Sequence, residues 1–269
     1  MQKPQTIYIA GVARSGTSWL GQIFNSSPNV KFKFQPFFSY EFKNRVNEDS
    51  TKAEFKSLLK DMYKKDSEFL DQIDKKKSGE YPKFNKNDFL THLVFKEARY
   101  QNIIEPMMRK CPQMKLIGII RNPNAALNSW MKNIKEFPKG SNPLEEWRYG
   151  DCKNHGHEDF FGYYKWKEVA NLYLDFQQKW PKRVFILSYE DLVENPKQCT
   201  KNIFKFSSID YTAQTEDFLK KSTELHLDSP FAVFKNKKVA TQWKDELPAY
   251  ITEEIKNDLV GTRLEMFLK

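Results

Sequence analysis

Gly11-Val12-Ala13-Arg14-Ser15-Gly16-Thr17-Ser18-Trp19 follows the apolar, β-rich run Ile7-Tyr8-Ile9-Ala10. It leads into apolar residues at helical spacing, Trp19, Leu20, Ile23 and Phe24. A strand that turns through Gly, Ser and Thr into a helix makes an anion site. Free N–H groups at the helix N-terminus, and the positive end of its dipole, converge on whatever sits in the turn. The spacing follows the Walker A pattern G-x-x-x-x-G-K-[ST], with Gly11 and Gly16 in the glycine places and Ser18 in the hydroxyl place. Thr17 stands where that pattern has lysine, and the cation is Arg14, inside the loop. A cation beside a helix N-terminus opposes the dipole, so Arg14 is better explained by an anionic ligand than by stability. The loop is therefore read as a cradle for an anionic nucleotide other than the β,γ-phosphates of ATP.

Working outward, four short apolar runs read as buried parallel strands: Ile7–Ala10, Leu93–Lys96, Leu116–Ile120 and Val184–Leu187. Helical patterns separate them. The alternation predicts an α/β fold, a P-loop-like parallel sheet with helices on both faces. Ligands in such sheets lie beyond the carboxyl ends of the strands. Arg14, Ser15, Glu97, Arg99, Arg121, Asn122, Ser188 and Tyr189 all fall just after a strand and carry extra weight. Residues 1–269 are read as one domain with two lid-like insertions, about 47–90 and 137–159. In the first, Phe55, Leu58, Leu59 and Met62 keep a helical period, and Asp74 to Asp88 reads as loop. The second is irregular, with Pro138, Gly140, Pro143, Gly150, His155, Gly156 and His157.

Hydrophobic content of 39% with 29% charged residues fits a globular chain, and 22 Phe and 12 Tyr point to an aromatic core or an aromatic-lined cleft. The net charge of +9 raises nucleic acid or a polyanion as partners. Lys75-Lys76-Lys77 and Lys64-Lys65 nevertheless sit among acidic residues, as on solvated faces. No run approaches the ~20 apolar residues of a membrane span. Cys111, Cys152 and Cys199 are odd in number and widely spaced, which suits free thiols in a reducing compartment and neither a disulfide frame nor a metal site. A cytoplasmic protein, without membrane span or nucleic-acid partner, is the expectation.

A second anion motif follows the third run: Arg121-Asn122-Pro123, with Ser129 eight residues after Arg121. Pro123 suits the first turn of a helix and Asn122 its cap. Together the two motifs resemble the sulfotransferases that use 3'-phosphoadenosine 5'-phosphosulfate (PAPS). Arg14-Ser15-Gly16-Thr17-Ser18-Trp19-Leu20 is similar to their 5'-phosphosulfate loop, and Arg121 with Ser129 to their 3'-phosphate site. Ser188-Tyr189-Glu190-Asp191-Leu192 looks like their Y-E-D-L, whose tyrosine lies near the adenine, as Trp19 is expected to. Lys237 and Lys238, before Trp243-Lys244, look like their basic loop over the 3'-phosphate. The run Gly21 to Val30, and the strand end Lys96-Glu97-Ala98-Arg99, are most similar to the carbohydrate O-sulfotransferases.

The resemblance implies transfer of a sulfuryl group from PAPS to an acceptor hydroxyl, on a carbohydrate, leaving 3',5'-adenosine bisphosphate, with no metal. Arg14, Ser15, Gly16, Thr17, Ser18 and Trp19 would bind the donor, together with Arg121, Ser129, Tyr189, Lys237 and Lys238. Arg14 and Lys96 would stabilise charge on the transferring group and bridging oxygen. The base is where this chain departs from that pattern. Phe34-Gln35-Pro36 puts a glutamine where glycan-type relatives carry glutamate, and glutamine takes no proton. Glu97 is the expected substitute, with an ion pair to Arg99 as its structural alternative; Glu41, His155 and His157 follow, while His92 reads as structural. Two other functions stay open at this point: a P-loop nucleotide kinase, disfavoured by Thr17, and a non-catalytic polyanion-binding module.

Overall fold

Five parallel strands make one sheet: β1 (Gln5–Ala10), β2 (Val30–Phe34), β3 (His92–Glu97), β4 (Lys115–Ile120) and β5 (Val184–Ser188), in the order β2-β3-β1-β4-β5. The computed structural model describes residues 3–225, 233 and 240–269. Four strands lie on the apolar runs. The fifth, β2, is an addition to that reading: Val30-Lys31-Phe32-Lys33-Phe34 alternates apolar and basic residues at the sheet edge. An inward charge is a device that edge strands tolerate. The fully buried Lys33 ammonium is met by Asp71 at 2.7 Å and Asp66 at 3.3 Å.

Side chains alternate along each strand and so feed two cores. On one side Ile7, Ile9, Val94, Ile117 and Ile119 join a cluster with helices α1 (Thr17–Asn25), α9 (Pro196–Ser207) and α10 (Ala213–Glu224). On the other side lie Tyr8, Ala10, Leu93, Phe95, Leu116 and Ile120. These pack with α2 (Lys52–Lys64), α4 (Ile104–Lys110), α5 (Pro123–Met131), α7 (Tyr163–Lys179) and α12 (Ala249–Leu259). Short helices complete the order: α3 (Ile73–Lys77), α6 (Pro143–Glu146), α8 (Tyr189–Glu194) and α11 (Trp243–Glu246). Helix α3 falls where loop is expected. The expected helix over Phe55 and Met62 is α2, whose start is fixed by a capping box between Thr51 and Glu54.

Strand order places the site. The chain leaves β1 to build β2 and β3 on one side and β4 and β5 on the other, so the order reverses at β1. Ligands collect at such switch points, outside the carboxyl ends of the strands. The Gly11–Trp19 loop lies at that end of β1. Helix α1 is anchored by Leu20, Ile23 and Phe24, all fully buried, each worth roughly 1.5–3 kcal/mol relative to exposure. Truncating Phe24 to alanine would cost about 3–5 kcal/mol and loosen the helix whose first N–H groups form the cradle.

Candidate active site

The loop closes tightly on its neighbours. Gly16, the N-cap of α1, has φ 84°, and a Cβ there would lie 2.5 Å from the Tyr189 ring. Glycine meets both demands, the left-handed backbone and the missing side chain. Arg14 also has positive φ, 69°, a strained conformation that clusters at functional sites. Its Nε donates to Ser129 Oγ at 3.1 Å, its Nη1 lies 3.7 Å from Glu136 Oε2, and its carbonyl accepts from Arg121 Nη1 at 2.9 Å. Burial pulls the Arg14 pKa down, opposed by the Glu136 carboxylate, and a guanidinium stays protonated regardless.

The second motif forms as the sequence predicts. Asn122 caps α5, its Oδ1 accepting from Asn124 N at 2.9 Å and Ala125 N at 3.4 Å, with Pro123 in the first turn. Arg121 is buried, and its guanidinium lies 4.7 Å from the Tyr189 ring centroid, a cation–π contact that burial strengthens. Tyr189 begins α8, whose cap is the Ser188 hydroxyl accepting from Asp191 N at 3.2 Å. Trp19 stands edge-on to Tyr189 with centroids 6.3 Å apart, and its Nε1 donates to Ser222 Oγ at 2.9 Å.

Arg14, Gly16, Thr17, Ser18, Trp19, Arg121, Ser129 and Tyr189 thus line one end of a cleft of about 700 Å³. Ser15 does not line it; its hydroxyl is fully buried and finds no hydrogen-bond partner among the described residues. Lys237 and Lys238 lie outside the described residues.

The end of β3 corrects one expectation. Lys96 lines the cleft, with Nζ 4.2 Å from the Phe34 ring centroid, and burial lowers its pKa against the raising effect of Glu97 and Glu136. Glu97, its neighbour in a strand, points to the opposite face of the sheet. There its carboxyl is fully buried, and Oε1 accepts from Phe37 N at 2.7 Å. Burial pushes the Glu97 pKa up. The Glu97 carboxyl is thus buried away from the cleft and is not among its lining residues. Arg99 pairs with Asp159, not with Glu97. His92 is structural, with Nε2 3.2 Å from Ser207 O. Glu41, His155 and His157 are not among the cleft's lining residues.

The far end of the cleft is built from segments distant in sequence. Phe34, Phe38 and Phe69 form an aromatic group: Phe69 meets Phe34 edge-on at 5.7 Å and Phe38 at 6.3 Å. Arg99 lies over the Phe38 ring at 5.2 Å. Gln35, at φ 41°, also lines the cleft, as do Glu68, Gln72, Asp74, Lys75 and Lys153. No motif singles out Phe38, Phe69 or Glu136; on this side the sequence marks Phe34-Gln35-Pro36, Lys96 and Arg99. Among the described residues, no group of three His, Cys, Asp or Glu is placed to hold a metal, and no helix is long and apolar enough to cross a membrane.

A parallel sheet with a strand-turn-helix loop at its switch point, and Arg14 inside that loop linked to Arg121, defines an α/β protein of the P-loop-like kind. The sulfotransferase domain family matches residues 4–260, and the chain belongs to that family of enzymes. No curated protein sequence matches the chain. Among solved structures, mouse sulfotransferase SULT7A1 complexed with PAP is similar at 14% identity and TM-score 0.60, over 99% of this chain and 89% of that one. A sulfotransferase from Alicyclobacillus acidocaldarius gives 13% identity and TM-score 0.54, over 100% and 96%. Retinol dehydratase in complex with retinol and PAP gives 14% identity and TM-score 0.57, over 98% and 84%.

Proposed function

We propose that the protein transfers the sulfuryl group of PAPS to a hydroxyl of a carbohydrate acceptor. The observation that carries this reading is the junction of the two anion motifs: Arg121 bonds the backbone of Arg14, and Arg14 bonds Ser129, within one cleft that also holds Lys96. Two anionic groups of one nucleotide would be held at once, the 5'-phosphosulfate by the α1 N–H groups with Arg14, Thr17 and Ser18, the 3'-phosphate by Arg121 and Ser129. Tyr189 and Trp19 would flank the base. The residues fit such a donor in charge and in the close backbone approach that Gly16 permits. PAP in two of the similar structures supports the same assignment.

Sulfuryl transfer asks the protein for alignment and for fixed positive charge at the developing negative charge. Lys96 and Arg14 supply the charge from a buried setting, where electrostatic effects exceed those in water. On the acceptor side, the Phe34, Phe38 and Phe69 rings offer an apolar platform to one face of a sugar. Gln35, Glu68, Gln72 and Arg99 offer hydrogen bonds at its rim. The polar rim favours a sugar over a purely apolar alcohol.

Thermal shift tests the donor. At ~100 times its dissociation constant a ligand adds about 2.7 kcal/mol, so 3',5'-adenosine bisphosphate should raise Tm well beyond ATP–Mg or heparin. A shift with ATP–Mg alone would favour the kinase, and one with heparin alone the polyanion module. A sulfate-transfer screen over glycosides, sterols and phenols tests the acceptor; turnover of sterols or phenols alone would remove the carbohydrate assignment.

A further inference from the structure

With glutamine at residue 35 and Glu97 turned away, the cleft still needs a proton acceptor for the hydroxyl. Glu136 follows α5 and lines the cleft, its side chain 26% exposed. Oε2 lies 3.7 Å from Arg14 Nη1. The same carboxylate acts electrostatically on Lys96 as well as on Arg14. Among the described residues, Glu97 is the other carboxylate felt by Lys96, and it faces the opposite side of the sheet. Two further carboxylates line the cleft: Glu68 is exposed, and Asp74 is 81% exposed and pairs with Lys77 at 4.0 Å. Glu136 therefore stands out as the carboxylate that opens to the cleft and senses both cations assigned to the transferring group.

Its position is fixed by its own turn. Asn133 is buried; its Nδ2 donates to Glu136 Oε2 at 2.9 Å, its Oδ1 accepts from Lys135 N at 3.1 Å, and its carbonyl accepts from Glu136 N at 2.9 Å. One asparagine thus ties both the backbone and the side chain of Glu136, the orientation a general base requires.

We propose that Glu136 is the general base of the transfer. This rests on the sulfuryl-transfer reading above. The acceptor oxygen forms its bond to sulfur, the bond from sulfur to the 5'-phosphate oxygen breaks, and 3',5'-adenosine bisphosphate leaves with that electron pair. The acceptor proton passes to a Glu136 carboxylate oxygen.

The test compares two acceptors with PAPS as donor: water, which must lose a proton, and 4-nitrophenolate in mildly alkaline buffer, which has none to lose. Glu136→Gln should slow sulfate release to water by ~100-fold or more and alter 4-nitrophenolate transfer by less than about 5-fold. The 3',5'-adenosine bisphosphate Tm shift should persist or grow, which also shows that the variant is folded. Glu136→Asp should recover part of the water rate. Equal losses on both acceptors, or none on water, would overturn the proposal. If the wild-type protein itself shows no bisphosphate shift, the donor assignment fails instead.

Discussion

The two ends of the cleft are built differently. The end we assign to the donor comes from contiguous motifs at strand ends: residues 11–19 after β1, 121–129 after β4 and 189–192 after β5. Each motif is folded by its own caps and glycines, and the sheet brings the three together. The end we assign to the acceptor is assembled from residues 34–38, 68–75, 96–99 and 135–161, which meet only through tertiary packing. A contiguous motif carries its geometry in its spacing; a composite surface does not. On this assignment the donor end is legible in contiguous sequence, while the acceptor end is legible only in the fold.

The strongest loss should come from the donor end. Arg121→Ala removes a buried cation that bonds the Arg14 carbonyl and stacks on Tyr189. Truncating one partner of a buried, hydrogen-bonded charge pair costs about 2–5 kcal/mol. Calorimetric affinity for 3',5'-adenosine bisphosphate should fall accordingly, with acceptor KM unchanged. A loss of less than threefold, which is about 0.6 kcal/mol, would show that the two ends are not divided as described.

This division also explains what the sequence discloses. The strand-turn-helix at Gly11–Trp19, the cap at Asn122 and the strand-end positions of Arg121 and Tyr189 are local, and each forms where it is read. Strand β2 escapes because Lys31 and Lys33 break its apolar run, although alternation itself is a strand signal. Glu97 is misread for a reason in the same rule: period two sends the side chains of Lys96 and Glu97 to opposite faces, and of the two Lys96 lines the cleft. Glu136 and Phe69 lie on connections with no periodic pattern, and only packing reveals their neighbours.

At the seam between the two ends, Lys96→Met should lower kcat by about 10²-fold with the bisphosphate shift retained. Burial holds the Lys96 pKa below that of an exposed lysine, so its charge is lost at lower pH on the alkaline side. Turnover should fall there as pH rises, and Lys96→Arg should abolish that limb, because arginine does not deprotonate. A limb that survives the arginine variant belongs to another group.

At the acceptor end the expected effect is smaller. Phe69→Ala removes a partly exposed ring, 36% accessible, that meets Phe34 edge-on. It should raise acceptor KM about tenfold, or about 1.4 kcal/mol, with kcat held, the pattern of lost uniform binding. An equal fall in bisphosphate affinity would erase the boundary between the ends.

The smallest effect on turnover belongs to Glu97→Gln, which isolates the face of the sheet that the cleft does not reach. Glutamine keeps an acceptor for Phe37 N, so kcat should stay within about threefold, an effect well below the usual yield of general-base catalysis. Stability should respond instead. Burial raises the Glu97 pKa in the folded state, so the folded protein holds this proton more tightly than the unfolded chain does. The contribution is fully present below the unfolded carboxyl pKa and is lost as pH rises towards the folded value. Denaturant titrations from mildly acidic to neutral pH should therefore show the wild type losing stability relative to Glu97→Gln. A variant that loses turnover like Glu136→Gln, or a stability difference that does not change with pH, would return Glu97 to the cleft.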